Sequence, residues 1–136
     1  MEPRGIRNNN PLNIRKGNNW KGERPNQTDK AFEEFQTMEY GIRAGFKLLK
    51  NYITGYGGKV APFDTIEKIV KRWAPPTENA TRNYIDFVSK DTDINAKTRI
   101  SFKDRPTMVA IVDAMIFVEC GQRVSRDVIQ SAYDLV

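Results

Sequence analysis

Met108-Val109-Ala110-Ile111-Val112-Asp113-Ala114-Met115-Ile116-Phe117-Val118-Glu119-Cys120-Gly121 decides how this sequence reads. At about 100° per residue, Ile111, Val112 and Met115 fall within about 60° of Met108, and Glu119 within about 20° of it. Ala114 to Val118 are apolar on every side, the pattern of a central buried helix. An ionisable side chain therefore closes the core stripe of that helix, just ahead of Cys120-Gly121. Desolvation and the partial negative charge of the helix C-terminus both act to raise its pKa. A carboxyl kept protonated near neutral pH is what a general acid requires. The competing readings of Glu119 are a solvated residue at a helix end and a structural ion pair with an N-terminal arginine.

Helical signals extend upstream from this stretch. Asp104 followed by Pro106 opens the Glu119 helix, and residues 90–104 read as a polar loop. Thr77 or Asn79 caps a helix carrying Tyr84, Ile85 and Val88. Asp64 caps an earlier one, with Glu67 in capping-box position, a stripe of Ile66, Ile69, Val70 and Trp73, and Pro75-Pro76 as its end. Thr37 caps the first, whose apolar positions Ile42, Phe46, Leu49 and Ile53 are stopped by Gly55, Gly57 and Gly58. Downstream, Ser125 opens a last short helix with Val128, Ala132 and Leu135 facing inward.

Residues 1–36 differ in character. Asn, Gly, Arg and Pro dominate, aromatics are isolated, and no 3.6-residue stripe appears. This segment is expected to form two or three short strands. The expected class is α+β, mainly α, in one domain over 1–136: a β-rich lobe over 1–36 on a helical body over 37–136.

Composition narrows the function. The chain has 136 residues, no histidine, one cysteine and a formal net charge of +5. Histidine-based triads, bases and metal sites are excluded, as are disulfide scaffolds and cysteine-rich zinc sites. Acid–base chemistry would fall to carboxylates, Tyr or Lys, with no metal and no cofactor. No window approaches 18 apolar residues and no secretory signal opens the chain, so no membrane insertion is expected. The basic balance suits an anionic polymer. Its lysines and arginines are scattered without a block of five, which ranks nucleic acid last among such partners.

Other candidate residues carry weaker signals. Glu78 falls in the first turn of its helix, where the dipole favours the charged form, suiting a base, an electrostatic stabiliser or a cap. Glu33, Glu34 and Glu39 could each offer a second carboxylate opposite Glu119, although surface charge is the simpler reading. Asn8, Asn9, Asn10 and Asn13 could bind sugar hydroxyls or amides, or serve as turn residues. Tyr84 fits either a core aromatic or a substrate contact. Trp20 and Trp73 read as core, and Cys120 as a small core residue.

Two resemblances add to this reading. Arg4-Gly5-Ile6-Arg7-Asn8-Asn9-Asn10-Pro11-Leu12-Asn13-Ile14-Arg15, Trp20-Lys21-Gly22, Gly41-Ile42-Arg43-Ala44 and Arg72-Trp73-Ala74-Pro75-Pro76-Thr77-Glu78-Asn79 resemble a group of small phage and prophage virion proteins of lysozyme-like type. More loosely, Asn13-Ile14-Arg15, Trp20-Lys21-Gly22 and Phe35 resemble the strand segment of bacterial glucosaminidases. Asn79 to Tyr84 is similar to their tyrosine element, and the helix ending in Glu119 to their catalytic helix. Here the parts occur in circularly shifted order. The resemblance implies a circularly permuted lysozyme-like domain that cleaves peptidoglycan as a muramidase or lytic transglycosylase. Glu119 would be the acid, and Tyr84, Asn79, Asn10 and Asn13 would bind substrate. Cys120 departs from the small polar residue expected after the acid; without the permutation, Glu78 becomes the acid. The implied setting is a monomer in a phage virion, or in host cytoplasm before release, acting on the cell wall. The rival is a non-enzymatic phage structural or wall-binding protein.

Overall fold

The computed structural model describes residues 2–73 and 77–136. It is mainly helical, with α1 (Arg4–Arg7), α2 (Met38–Gly58), α3 (Ile66–Trp73), α4 (Glu78–Thr92), α5 (Arg105–Cys120) and α6 (Arg126–Asp134). Among the described residues no helix is long and apolar enough to cross a membrane. The chain divides into two compact units, Met1–Lys47 with Met115–Val136, and Leu48–Ala114.

Local signals explain the helix boundaries. Thr37 Oγ1 accepts the Tyr40 amide at 3.2 Å and starts α2. Ile42, Phe46, Leu49 and Ile53 are all buried. The right-handed helix gives way at Gly55, Tyr56 and Gly57, whose φ values are 64°, 55° and 72°. Thr77 caps α4 by accepting the Ala80 amide at 3.2 Å, and Asp93 ends it in the left-handed region. Asp104 takes the Thr107 hydroxyl at 2.8 Å at the start of α5. Ser125 accepts the Asp127 amide at 3.2 Å and opens α6.

Two expected details differ. At α3 the cap is Thr65, which accepts the Lys68 amide at 3.1 Å, rather than Asp64. Asp64 instead accepts from Arg99 Nε at 3.1 Å. In α6 the inward residues are Ile129 and Ala132, while Leu135 is exposed. Tyr133 explains the rotation: its ring stands edge-on to Phe46 at 5.3 Å, and Arg43 Nε donates to the Leu135 carbonyl at 3.1 Å. The expected stop at Pro75-Pro76 lies outside the described residues.

In the unit Leu48–Ala114, α3 packs against α4, and Arg82 reaches Glu67 at 3.3 Å. Tyr52 meets the edges of Phe63 and Trp73 at 5.9 and 6.2 Å. Ile66, Ile69, Tyr84, Ile85, Val88, Met108 and Ile111 are buried in this unit.

In the other unit, the strands expected over 1–36 are reduced to two isolated antiparallel bridges, Arg15 with Phe32 and Glu23 with Phe35. Side chains take the place of a ladder. Asn10, fully buried, donates Nδ2 to the carbonyls of Ile14 at 2.9 Å and Glu33 at 3.0 Å. Its Oδ1 accepts the Ile14 amide at 2.9 Å. Asn9 Nδ2 donates to the Phe35 carbonyl at 3.1 Å, and Asn8 Nδ2 to Asp29 at 3.0 Å. An asparagine amide carries both a donor and an acceptor, so it satisfies backbone groups that a sheet would otherwise pair. Leu12, Phe35, Ile42, Phe46, Met115, Ile116 and Ile129 are buried here.

Candidate functional site

Glu119 lies in the last turn of α5 and is half-buried. The helix is sealed over Ala114, Met115 and Ile116 but turns outward at Val118, which is 36% exposed. The expectation of burial on every side therefore fails in the last turn, and the carboxyl sits at the edge of the core. Asn13 fixes it. Asn13 Nδ2 lies 3.1 Å from Glu119 Oε1 and 3.2 Å from the Glu119 carbonyl, donating to both. Asn13 holds a left-handed backbone, with φ 54°, a conformation that asparagine tolerates. Next to Glu119, the Cys120 thiol lies 3.2 Å from the Pro11 carbonyl and 3.3 Å from that of Ile116, and donates weakly between them. Burial, with the charge of Glu119 second, pushes this thiol up to about 11.

The other predicted residues are distributed differently. Asn10 belongs to the same unit, but its amide is committed to three backbone groups in the core, so the substrate-binding role expected of it is replaced by a structural one. Glu78 and Asn79 are exposed on α4, in the other unit, beside a recess of about 210 Å³ that also takes in Lys71 and Arg82. Tyr84, in that unit too, is a core aromatic at 5% exposure. The structure thus joins Glu119 with Asn13 among the six.

Sequence reasoning undervalued the acidic residues of 23–34. Glu33 and Glu34 are buried, at 2% and 4% exposure, and are not the surface charges expected. Burial pushes the Glu34 carboxyl up, but donors outweigh it: Thr28 through its amide (2.5 Å) and hydroxyl (2.9 Å), and the Asp29 amide (3.3 Å). Its net pKa is lowered. Glu33 moves the other way, to about 7, through burial, then a hydrogen bond with Glu23 and the charge of Glu23, against a smaller pull from Lys16. Phe32 and Phe35 flank this pair in sequence and were the available signal. Asp113, 6% exposed within the apolar run of α5, was overlooked as well.

Asp29 anchors a recess of about 600 Å³ lined in part by Arg4, Arg7, Asn8 and Lys30. Both its oxygens accept from Arg4, at 2.6 Å each. The Ala31 and Phe32 amides add bonds of 2.9 and 3.0 Å. The Arg4 hydrogen bond leads these in holding Asp29 well below the usual carboxylate range. A carboxyl whose pKa is depressed by folding contributes stability above its unfolded value, and that stability is lost as pH falls through the folded value. Thermal melts are therefore expected to show an acid-labile limb below about pH 4 that Asp29→Asn flattens. An unchanged limb would show that Arg4 and Asp29 are not paired in solution.

No protein-family profile matches the chain. Among curated proteins, one named "Protein P5", from Pseudoalteromonas phage PM2, is 43% identical over 122 residues. The match takes in 87% of this chain and 71% of that protein, and with that extent of shared sequence the chain belongs to the family of this phage protein.

Proposed function

We propose that this phage-family protein cleaves the glycan strand of peptidoglycan between N-acetylmuramic acid and N-acetylglucosamine, with Glu119 as general acid. The observation that carries the reading is the Asn13 amide on Glu119 Oε1 at the end of the apolar helix α5. An N–H donor at one carboxyl oxygen makes that oxygen the acceptor, so whenever Glu119 is protonated its proton is carried on Oε2. Protonation of the glycosidic oxygen from Oε2 releases the leaving sugar. The cationic transition state is met by a second carboxylate or by the substrate's own acetamido group. In the transglycosylase variant, Glu119 then takes the proton of the muramyl 6-hydroxyl as that oxygen closes on C1, giving a 1,6-anhydro end. The fold would be lysozyme-like with its parts in circularly shifted order. The net charge of +5 favours the anionic wall. The protein would travel in the virion or be made in the host cytoplasm before release.

A structural or wall-binding role is the second reading. It is favoured by the use of Asn8, Asn9 and Asn10 to hold the protein's own chain. Digestion of purified peptidoglycan with mass spectrometry of the products separates the two. Glu119→Gln is expected to lose at least about a hundredfold in rate while remaining folded, and Glu78→Gln to cleave normally. Asn13→Gly keeps the left-handed backbone, removes the amide and is expected to cost about tenfold. Loss confined to Glu78→Gln would move the acid to α4. No cleavage by folded wild type on walls from several hosts would leave the structural reading.

A further inference from the structure

Basic residues that lie scattered along the sequence are brought together at one place in the unit Leu48–Ala114. A recess of about 410 Å³ is lined by Lys50 from α2 and by Arg99 and Lys103 from the segment ahead of α5. Its lining holds one carboxylate, Asp64, so among the described residues three cations face one anion, a net charge of +2. Asp64 is buried and already engaged twice. Its Oδ2 accepts from Arg99 Nε at 3.1 Å, and its Oδ1 lies 3.8 Å from Lys68 Nζ. Arg99 is held at Nε alone. Its side chain is 84% exposed, and among the described residues both Nη groups are left without a hydrogen bond. Neither Lys50 nor Lys103 forms an ion pair among the described residues, and Lys50 Nζ lies 5.9 Å from the Phe102 ring centre. Backbone bonds fix this segment in place: the Ile100 amide donates to the Asp64 carbonyl at 2.9 Å and the Glu67 amide to that of Ala96 at 3.0 Å.

We propose that this recess binds a small phosphorylated sugar, with Arg99, Lys50 and Lys103 around the phosphate. Like charges gathered without counter-charge repel, and the ligand that relieves them carries matching negative charge. A phosphate monoester brings about two negative charges at neutral pH, against one for a carboxylate. The two Nη groups of Arg99 form a fork that can bond two phosphate oxygens, and the lysines add point charges. The buried Asp64 carboxylate sets the direction of that fork through Nε. The rest of the lining suits a sugar ring. Ile53, Pro62, Ile100 and Phe102 offer apolar surface to its C–H face. Ser101 Oγ accepts the Lys103 amide at 3.2 Å, which leaves its hydroxyl proton to donate to a sugar oxygen. Thr54 is spent, donating to the Lys50 carbonyl at 2.8 Å. The volume falls within the roughly 300–1,000 Å³ of small-molecule sites. One cluster of three cations suits one phosphate, whereas a nucleic-acid strand calls for a basic groove that follows its backbone. Glu119 and Asn13 belong to the other unit, so this site does not rest on the cleavage reading.

Titration of the isotope-labelled full chain with glucose 6-phosphate and with N-acetylglucosamine 6-phosphate, followed by amide NMR shifts, tests this. The amides of Ile100, Ser101, Phe102 and Lys103 are expected to move together with at least one of the two. That probe should bind at least about tenfold more tightly than the same sugar without phosphate, and more tightly than inorganic phosphate or glucuronate. Lys50 and Lys103 are exposed, so their Gln variants are expected to fold. Each of Lys50→Gln and Lys103→Gln should weaken binding about tenfold, while Lys59→Gln, exposed and outside the recess, should bind as wild type does. Four results would overturn the proposal. One is no shift at 100–103 with either probe up to about 10 mM, the weak limit of a specific site. Another is binding that Lys50→Gln and Lys103→Gln leave unchanged. Inorganic phosphate or glucuronate binding as tightly as the sugar phosphates would make this a general anion site. A short single-stranded oligonucleotide that binds more tightly through the same amides would make it a nucleic-acid contact.

Discussion

Gly41→Ala is expected to destabilise the protein by about 3 kcal/mol, at the top of the usual range for overpacking. Gly41 lies in the first turn of α2, where the helix presses on the N-terminal segment. A Cβ there would run into the carbonyl oxygen and carbon of Asn9, with the Phe35 ring 3.3 Å away. The obstruction is backbone, and it is pinned. Asn9 Nδ2 donates to the Phe35 carbonyl at 3.1 Å, and the Phe35 amide donates to Asn8 at 2.8 Å. Neither side can yield without breaking these bonds. A melting temperature more than about 10 °C below wild type is the expected result. Gly57→Ala is the control: its φ is 72° but nothing lies within 4 Å of the added Cβ, so only backbone strain of about 1–2 kcal/mol applies. Equal melting temperatures for the two variants would show that α2 does not press on Asn9 in solution.

Asn10→Ala is the second large effect. It removes one amide and strands three polar backbone positions: the Ile14 amide, the Ile14 carbonyl's second donor and a donor to the Glu33 carbonyl. At about 1–3 kcal/mol for each buried group left unpaired, and with Ile14 still holding the Glu33 amide, the total is about 3–5 kcal/mol. That is a large part of the stability of an ordinary domain. Asn10→Asp tests the cause, since it keeps the acceptor for Ile14 but has no donor for the two carbonyls. Denaturant titration should rank Asn10→Ala and Asn10→Asp well below wild type. A midpoint within error of wild type for both would remove Asn10 as the tie between the Ile14 backbone and the Glu33 carbonyl.

The helices were legible because their determinants are local. Thr37, Thr77, Asp104 and Ser125 act within three residues of themselves, and the stripes of α2 and α4 follow the helical period. The α3 cap slipped from Asp64 to Thr65 because Arg99, 35 residues away, claims the aspartate. The α6 face rotated because Tyr133 meets Phe46, which the α6 sequence does not contain. Residues 1–36 were least legible for the same reason. Asn8, Asn9 and Asn10 bind partners 21 to 26 residues away, and asparagine gives no periodic signal of such contacts. At the candidate site, Glu119 could be read from the helical stripe that it ends. Its hydrogen bond to Asn13 spans 106 residues and could not. Glu33 looked like surface charge because its burial depends on a fold that the segment's own pattern does not announce.

The hydrogen bonds at Cys120 have a consequence in thiol reactivity. A thiol with its pKa near 11 is ionised in about one molecule in ten thousand at pH 7, and only the thiolate attacks disulfides or alkylating reagents. Native protein should therefore resist air-driven crosslinking between copies. Alkylation of this single cysteine should proceed only as fast as the end of α5 lets go of Pro11. The rate of iodoacetamide labelling becomes a clock, already present in the chain, for how often the turn bearing Glu119 comes loose.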